Sequence, residues 1–181
     1  MGAGHAAGQA AASLRQEKYE GKIIVLGDEP VLPYQRPPLS KAYLSGEQEQ
    51  EKLLLRAAAF YEKQNIEVKT STSVTEINPQ NSTIRIDDRE DLSFEHLLIA
   101  TGSRVRKINV SGSELNNIHY LRTIEDVDQI RSGMAKDKKL VIVGGGYIGL
   151  EVAAIATQAG MNVRVLETED RVLQRVTTPT M

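Results

Sequence analysis

Lys139-Leu140-Val141-Ile142-Val143 runs into Gly144-Gly145-Gly146-Tyr147-Ile148-Gly149 and on into Leu150-Glu151-Val152-Ala153-Ala154-Ile155-Ala156. The first five residues read as a buried parallel strand, and Gly144–Gly149 as a turn. Tyr147–Ala159 reads as a helix, and Asn162–Glu167 as the next strand, completing a βαβ unit. The turn has the form Gly-x-Gly-x-x-Gly between a strand and a helix, the context in which that pattern is specific. Gly144 permits the tight turn, Gly146 lets a pyrophosphate approach bare backbone, and Gly149 lets the helix pack close to the strand. The free amides and positive dipole end of the helix then face the anion. Glu167 ends the second strand roughly 20 residues on, where an acid accepts hydrogen bonds from ribose hydroxyls and repels a 2′-phosphate. NADH is therefore expected over NADPH, with Arg171 as the residue that could rescue the phosphorylated coenzyme.

A second turn of this kind opens the chain. Gly2-Ala3-Gly4-His5-Ala6-Ala7 fits the Gly-x-Gly-x-x-Ala variant. It leads into a helix from His5 to Arg15 and a β-branched strand Lys22–Leu26, with Asp28 and Glu29 after the strand. Taken alone this start could be a small-residue helix. With the other turn in the same chain, it points to two dinucleotides, of which FAD plus a nicotinamide nucleotide is the economical pair. Only Met1 stands where a strand should precede the turn, and Thr177-Thr178-Pro179-Thr180-Met181 closes the chain with no capped helix or strand. The expectation is a piece of a longer protein, cut at both ends.

Between the turns, Pro30, Pro33, Pro37 and Pro38 mark an ordered loop that neither a helix nor a central strand would tolerate. A short helix over Ser40–Leu44 and another over Ala57–Gln64 follow. Strands are expected at Val68–Thr70, Ser73–Ile77, Thr83–Ile86 and His96–Ala100. The polar connector after Thr101-Gly102 is the natural domain boundary, dividing the chain into 1–107 and 108–181. Thr123-Ile124-Glu125-Asp126 has the hydroxyl-to-acid spacing of a capping box and predicts a helix to about Met134.

Composition narrows the chemistry. In 181 residues, 22 basic and 24 acidic side chains give a net charge of −2 with no basic block, which speaks against a nucleic-acid surface. The apolar stretch Leu140–Val163 is broken by Glu151, Gln158 and glycines, so no membrane span is read. No secretory leader is read either, and a cytoplasmic protein is expected. Cysteine is absent, so these residues offer no thiol redox pair or thiolate metal site. His5, His96 and His119 are scattered, and no metal site is expected.

Arg36-Pro37-Pro38-Leu39-Ser40-Lys41, Ala100-Thr101-Gly102, Tyr120-Leu121-Arg122-Thr123, Gly144 to Glu151 and Arg175-Val176-Thr177 follow one another in an order that carries a resemblance. Over essentially its whole length the chain resembles the FAD-dependent, oxygenase-coupled ferredoxin reductases, which include putidaredoxin reductase and the biphenyl dioxygenase reductases. They belong to the pyridine nucleotide-disulfide oxidoreductase superfamily. The resemblance implies an α/β fold of two Rossmann-like units with parallel sheets in three layers. It also implies a flavoprotein that passes electrons from NADH through FAD to a [2Fe-2S] ferredoxin. It places Gly2, Gly4 and Ala6 against the FAD pyrophosphate, Asp28 near its ribose, Lys41 near the flavin, the Val74 backbone at the adenine end, and Arg122 as a further contact. Gly144, Gly146, Gly149 and Glu167 would hold NADH, with Glu151 near the nicotinamide. Lys41 and Glu151 are thus the catalytic candidates. As bare residues, Lys41 also fits a surface lysine, Glu151 a first-turn acid on a helix dipole, and Arg122 a surface ion pair. Relative to that family, the first strand, the returning FAD segment and the C-terminal interface domain are missing, and Ala7 replaces the third glycine of the first turn. A non-catalytic redox-sensing module, similar to apoptosis-inducing factor, is the alternative reading.

Overall fold

The computed structural model describes residues 1–178. They group into two units, Met1–Gln35 with Glu51–Arg104, and Arg36–Gln50 with Val105 onward. Pro179, Thr180 and Met181 of the expected irregular end lie outside the described residues.

In the first unit, strand β1 (Ile23–Leu26) pairs in parallel with β2 (Ile66–Lys69), Ile23 opposite Ile66. Every β1 side chain is apolar because both faces of the strand are covered. Ile23 and Val25 join Ala7, Ala11, Tyr61 and Ile66, side chains of helices α1 (His5–Gln16) and α3 (Ala58–Lys63) and of β2. Leu26 and the partly buried Ile24 turn the other way, onto Ile84 and Ile86 of an antiparallel meander of β3 (Val74–Asn78), β4 (Thr83–Ile86) and β5 (Glu90–Ser93). Each large aliphatic side chain so buried contributes about 1.5–3 kcal/mol. Small residues bring α1 close to the sheet: Ala7, Ala11 and Ala12 are all buried.

In the second unit, β6 (Lys139–Val143) and β7 (Asn162–Leu166) form a parallel pair with Val143 opposite Leu166, joined by helix α5 (Tyr147–Gln158). Helix α4 (Ile124–Gly133) starts in the expected capping box. Asp126 N donates to Thr123 Oγ1 at 3.2 Å, and Thr123 N to Asp126 Oδ2 at 2.8 Å. A 3-10 turn (Pro37–Ser40) and helix α2 (Ala42–Ser45) pack against α4 and α5. The buried Tyr43 donates its hydroxyl to Asp128 Oδ1 at 2.8 Å, and the Arg131 guanidinium lies 5.4 Å over its ring. Burial first, then the hydrogen bond to Asp128, pushes the Tyr43 phenol up to about 12.

Four expectations are corrected. The division is not a single cut at 107/108: Arg36–Gln50 belongs with the second unit, because Leu39, Tyr43 and Leu44 are buried there. Pro37-Pro38 opens a 3-10 turn rather than extending a loop, since proline at the first helical positions loses no needed amide. The helix expected over Ser40–Leu44 is split, with Lys41 between the 3-10 turn and α2. His96–Ala100 is not a strand. A ladder needs a paired neighbour, and the bonds that reach this stretch are Ala100 N to Met1 O at 2.8 Å and the Met1 amine to Leu98 O. Strand β5 was missed because Glu90-Asp91-Leu92-Ser93 carries one apolar residue, and the hairpin ladder with β4 alone makes it a strand.

Candidate functional site

The two glycine turns share their backbone bonding, although a Cβ on Gly2 would lie 2.2 Å from Ala100 O. Gly2 has φ +96° and donates its N–H to Leu26 O at 2.8 Å; Gly144 has φ +108° and donates to Leu166 O at 2.8 Å. Both φ values lie where only glycine sits without strain. Gly4 (φ −83°, ψ −168°) caps α1 and Gly146 (φ −80°, ψ −178°) caps α5, each helix running for 12 residues. A Cβ on Gly4 or on Gly146 would enter open space, as would one on Gly144. A Cβ on Gly149 would lie 2.2 Å from Gly144 O, so helix and turn touch there. The geometry has one glycine at the left-handed turn, one with open space beside it, and one where helix and turn touch. In the first turn, Ala7 takes the packing position and is buried, while Ala6 is exposed at the start of α1.

Glu167 follows β7 directly. Its Oε2 accepts from Gly145 N at 2.7 Å, and its Oε1 from Thr168 N at 2.6 Å and Glu169 N at 3.1 Å. These backbone amides, Gly145 foremost, hold the carboxyl at about 2, so it is ionised at neutral pH. The shared register places Gly27, not Asp28, at the corresponding point of the first unit, where a Cβ would meet Ala3 Cβ at 2.3 Å. Asp28 is exposed, and its neighbour Glu29 accepts the Tyr34 hydroxyl at 2.6 Å.

Lys41 and Glu151, far apart in sequence, meet within the second unit. The ammonium lies 2.9 Å from both carboxylate oxygens, and the buried Ser40 donates its Oγ to Glu151 Oε2 at 2.5 Å. Burial raises the Glu151 carboxyl, but the Ser40 and Lys41 bonds together outweigh it, leaving the group below its ordinary value. Ser40 lies inside the Arg36–Lys41 motif. Its signal was a hydroxyl beside the lysine in a rigid Pro-Pro turn, which sequence alone does not connect to a glutamate on α5.

The remaining candidates divide by unit. Val74 is in the first unit, paired with Ile86 beside an irregularity in the ladder that ends at Glu76. Its side chain packs on the Leu26–Ile84–Ile86 cluster, so only its backbone is available for recognition. Arg122, in the second unit, accepts Arg36 Nη1 on its carbonyl at 2.7 Å, while its own Nε is buried without an acceptor. A buried guanidinium nitrogen without a partner costs about 1–3 kcal/mol, which suits an anionic or carbonyl-rich ligand better than the surface ion pair. That nitrogen, the bare faces of Gly4 and Gly146, and the ionised Glu167 fit the chemistry of adenine dinucleotides. Among the described residues, no group of three or more His, Cys, Asp or Glu could hold a metal ion, and no helix is long and apolar enough to cross a membrane.

Two glycine-rich turns, each opening a helix and each bonded to the end of a parallel strand, define a dinucleotide-binding α/β protein. The pyridine nucleotide-disulphide oxidoreductase family matches residues 1–181, and the chain belongs to it. It is 44% identical over 182 residues to putidaredoxin reductase CamA of Pseudomonas putida, covering 99% of this chain and 43% of the relative. It is 41% identical over 179 residues to rubredoxin-NAD(+) reductase of Pseudomonas putida, covering 99% of this chain and 46% of the relative. The crystal structure of the covalent putidaredoxin reductase–putidaredoxin complex superposes with a TM-score of 0.92 at 45% identity, over 98% of this chain and 43% of that one. The chain thus spans less than half the length of these relatives.

Proposed function

We propose that the chain is the dinucleotide-binding portion of a flavoprotein reductase that draws reducing equivalents from NADH and delivers them, by way of FAD, to a ferredoxin-type iron-sulfur protein. The acceptor in this reading is of the [2Fe-2S] kind and feeds an oxygenase, and the setting is the cytoplasm. The observation that carries the proposal is the matched pair of glycine turns. One such turn serves many nucleotide enzymes; two in one chain call for two dinucleotides.

In this reading Gly2, Gly4 and Ala6 face the FAD pyrophosphate, Asp28 its ribose, and the Val74 backbone its adenine end; Lys41 and Arg122 are further FAD contacts. Gly144, Gly146, Gly149 and Glu167 hold NADH. FAD, when bound, supplies a ring that accepts a hydride and releases electrons singly. The protein's own part is placement, since hydride transfer needs alignment more than acid or base groups. Lys41 brings a positive charge, and Glu151 and Ser40 fix where that charge sits. Glu167 receives a ribose hydroxyl and opposes a 2′-phosphate. Both arginines of the following loop are engaged, Arg171 with Thr177 and Arg175 with Glu169, which favours NADH. With no cysteine among the 181 residues, this chain contributes no thiol to the electron path.

Calorimetric titration with FAD, NADH and NADPH tests the reading. One FAD and one NADH are expected, with NADPH weaker by roughly tenfold or more from charge repulsion alone. Binding of neither dinucleotide overturns the proposal, and equal affinity for NADPH overturns the role given to Glu167. Reduction of an added ferredoxin or dye by the FAD-loaded protein and NADH supports electron export, whereas NADH binding without it supports the redox-sensing alternative.

A further inference from the structure

Gly145 occupies a position that the Gly-x-Gly-x-x-Gly pattern leaves free, yet a side chain there would crowd two neighbours. A Cβ would lie 2.8 Å from Val172 Cγ1 and 3.1 Å from Glu167 Oε2. Both of its peptide groups are also taken by residues beyond β7. Its N–H donates to Glu167 Oε2 at 2.7 Å, and its carbonyl accepts the Leu173 N–H at 2.9 Å. The second bond matters because a peptide is planar and trans, so the Gly145 oxygen and the Gly146 N–H point in opposite directions. Fixing that oxygen fixes the direction of the Gly146 amide at the open N-terminal end of α5.

Leu173 makes this bond from φ +57°, a left-handed conformation that a leucine adopts at a cost. The surrounding loop enforces it. Arg171 Nη1 donates to Thr177 Oγ1 and Nη2 to Thr177 O, both at 2.7 Å. Thr177 Oγ1 and N each donate to Leu173 O at 3.0 Å, as does Val176 N. Arg175 braces the loop from outside through Glu169 Oε1 at 2.8 Å. A strained residue held by converging bonds is characteristic of functional positions.

We propose that Leu173 is a positioning residue for the dinucleotide. Its left-handed amide presets the Gly145–Gly146 peptide before ligand arrives, and Arg171 holds the loop closed to keep it there. This rests on the reading that the Gly144–Gly149 turn takes the coenzyme pyrophosphate. Arg171 thereby acquires a role different from the phosphate rescue that sequence suggested. A coenzyme exchanged at every turnover has to find its site already formed, and the affinity lost to an unformed site equals the fraction of time it is unformed.

The test uses the full chain and two readouts. Amide exchange at Gly145 and Leu173 is followed by NMR without nucleotide, and the NADH affinity is measured by calorimetry. Arg171→Ala is expected to speed exchange at both amides and, for a turn competent about a tenth of the time, to weaken NADH about tenfold. Arg171→Gln, uncharged but able to donate to Thr177, is expected to recover part of both. Unchanged exchange in Arg171→Ala overturns the proposal, as does faster exchange with unaltered NADH affinity. Weak binding in Arg171→Gln with wild-type exchange also overturns it, since that is the signature of a direct charge contact. Should the unaltered chain bind no NADH, the functional reading fails on its own, and the exchange arm still decides whether Arg171 and Leu173 set the turn.

Discussion

Substituting Gly149 by alanine sets two effects of opposite sign against each other. Gly149 lies within α5, where alanine ordinarily improves on glycine by about 0.8–1 kcal/mol. Here the added Cβ would lie 2.2 Å from Gly144 O and 3.3 Å from Ile142 Cγ2. The first distance falls well below 3.0 Å, closer than real Cβ atoms approach, and the obstructing atom is backbone rather than a movable side-chain end. That turn cannot give freely, because Gly144 N is bonded to Leu166 O at 2.8 Å and Leu150 N to Gly146 O at 3.1 Å. Overpacking of this kind costs about 1–3 kcal/mol or more. The net expectation is a destabilisation of up to about 2 kcal/mol despite the propensity gain.

Native-state hydrogen exchange of the α5 amides reads this within the second unit alone. Gly133→Ala supplies the control: Gly133 ends α4, its φ is not positive, and a Cβ there meets nothing within 4 Å. That change should stabilise α4 by up to about 1 kcal/mol. Should Gly149→Ala protect α5 as Gly133→Ala protects α4, close packing is not what the third glycine is for, and the assignment of roles in both turns goes with it.

Gly146→Ala separates binding from folding: with open space around its Cβ, stability should change little, while NADH affinity falls by roughly tenfold or more where the methyl meets the pyrophosphate. The Glu167 carboxyl should titrate at about 2 in a carbon-13 NMR titration, against an ordinary 4.5. Because its folded value is depressed, its contribution to stability is present above about 4.5 and is lost as pH falls toward about 2; Glu167→Gln should flatten the acid limb of a pH-stability curve over that window. Tyr61 is buried and its hydroxyl finds no partner. Tyr61→Phe should therefore be neutral or stabilising by about 1 kcal/mol in urea unfolding, the reverse of the usual cost of removing a buried hydroxyl.

The sequence was most legible where one element supplied the whole signal. The Thr123–Asp126 capping box, the β6 strand and the second glycine turn are local patterns whose causes lie within a few residues, and the structure reproduces them as elements; the burial expected of β6 is not found, since Val141 and Val143 are exposed on one face of the strand. Legibility failed where a distant partner decides the outcome. Glu90–Ser93 is a strand because β4 lies beside it, and Arg36–Gln50 joins the second unit because Tyr43 and Leu44 are buried there, neither of which a window along the chain contains. At the site, the two glycine turns could be placed from spacing. The Ser40–Glu151 bond and the Leu173–Gly145 bond could not, since each joins residues brought close only by the fold.

The two turns also carry one backbone device among different neighbours. Gly2 and Gly144 bond the ends of β1 and β7 in the same way, so the residues after those strands can be compared point for point: Gly27 with Glu167, Asp28 with Thr168, Glu29 with Glu169. In the first unit that point holds a glycine, because the methyl of Ala3 fills the space. In the second, Gly145 has no methyl, and the vacated space admits the Glu167 carboxylate and Val172. The exchange of a methyl and a carboxylate between facing positions is a matched pair: an alanine at 145 would crowd Glu167 and Val172, and a glutamate at 27 would meet Ala3. A single swap, Gly27→Glu, should therefore disrupt the first turn without creating a second ribose acceptor, while Gly145→Ala should weaken NADH binding and lift the Glu167 carboxyl from about 2 toward its ordinary value by removing the room its Gly145 bond requires. An unmoved Glu167 titration in Gly145→Ala would show that the two faces are set independently.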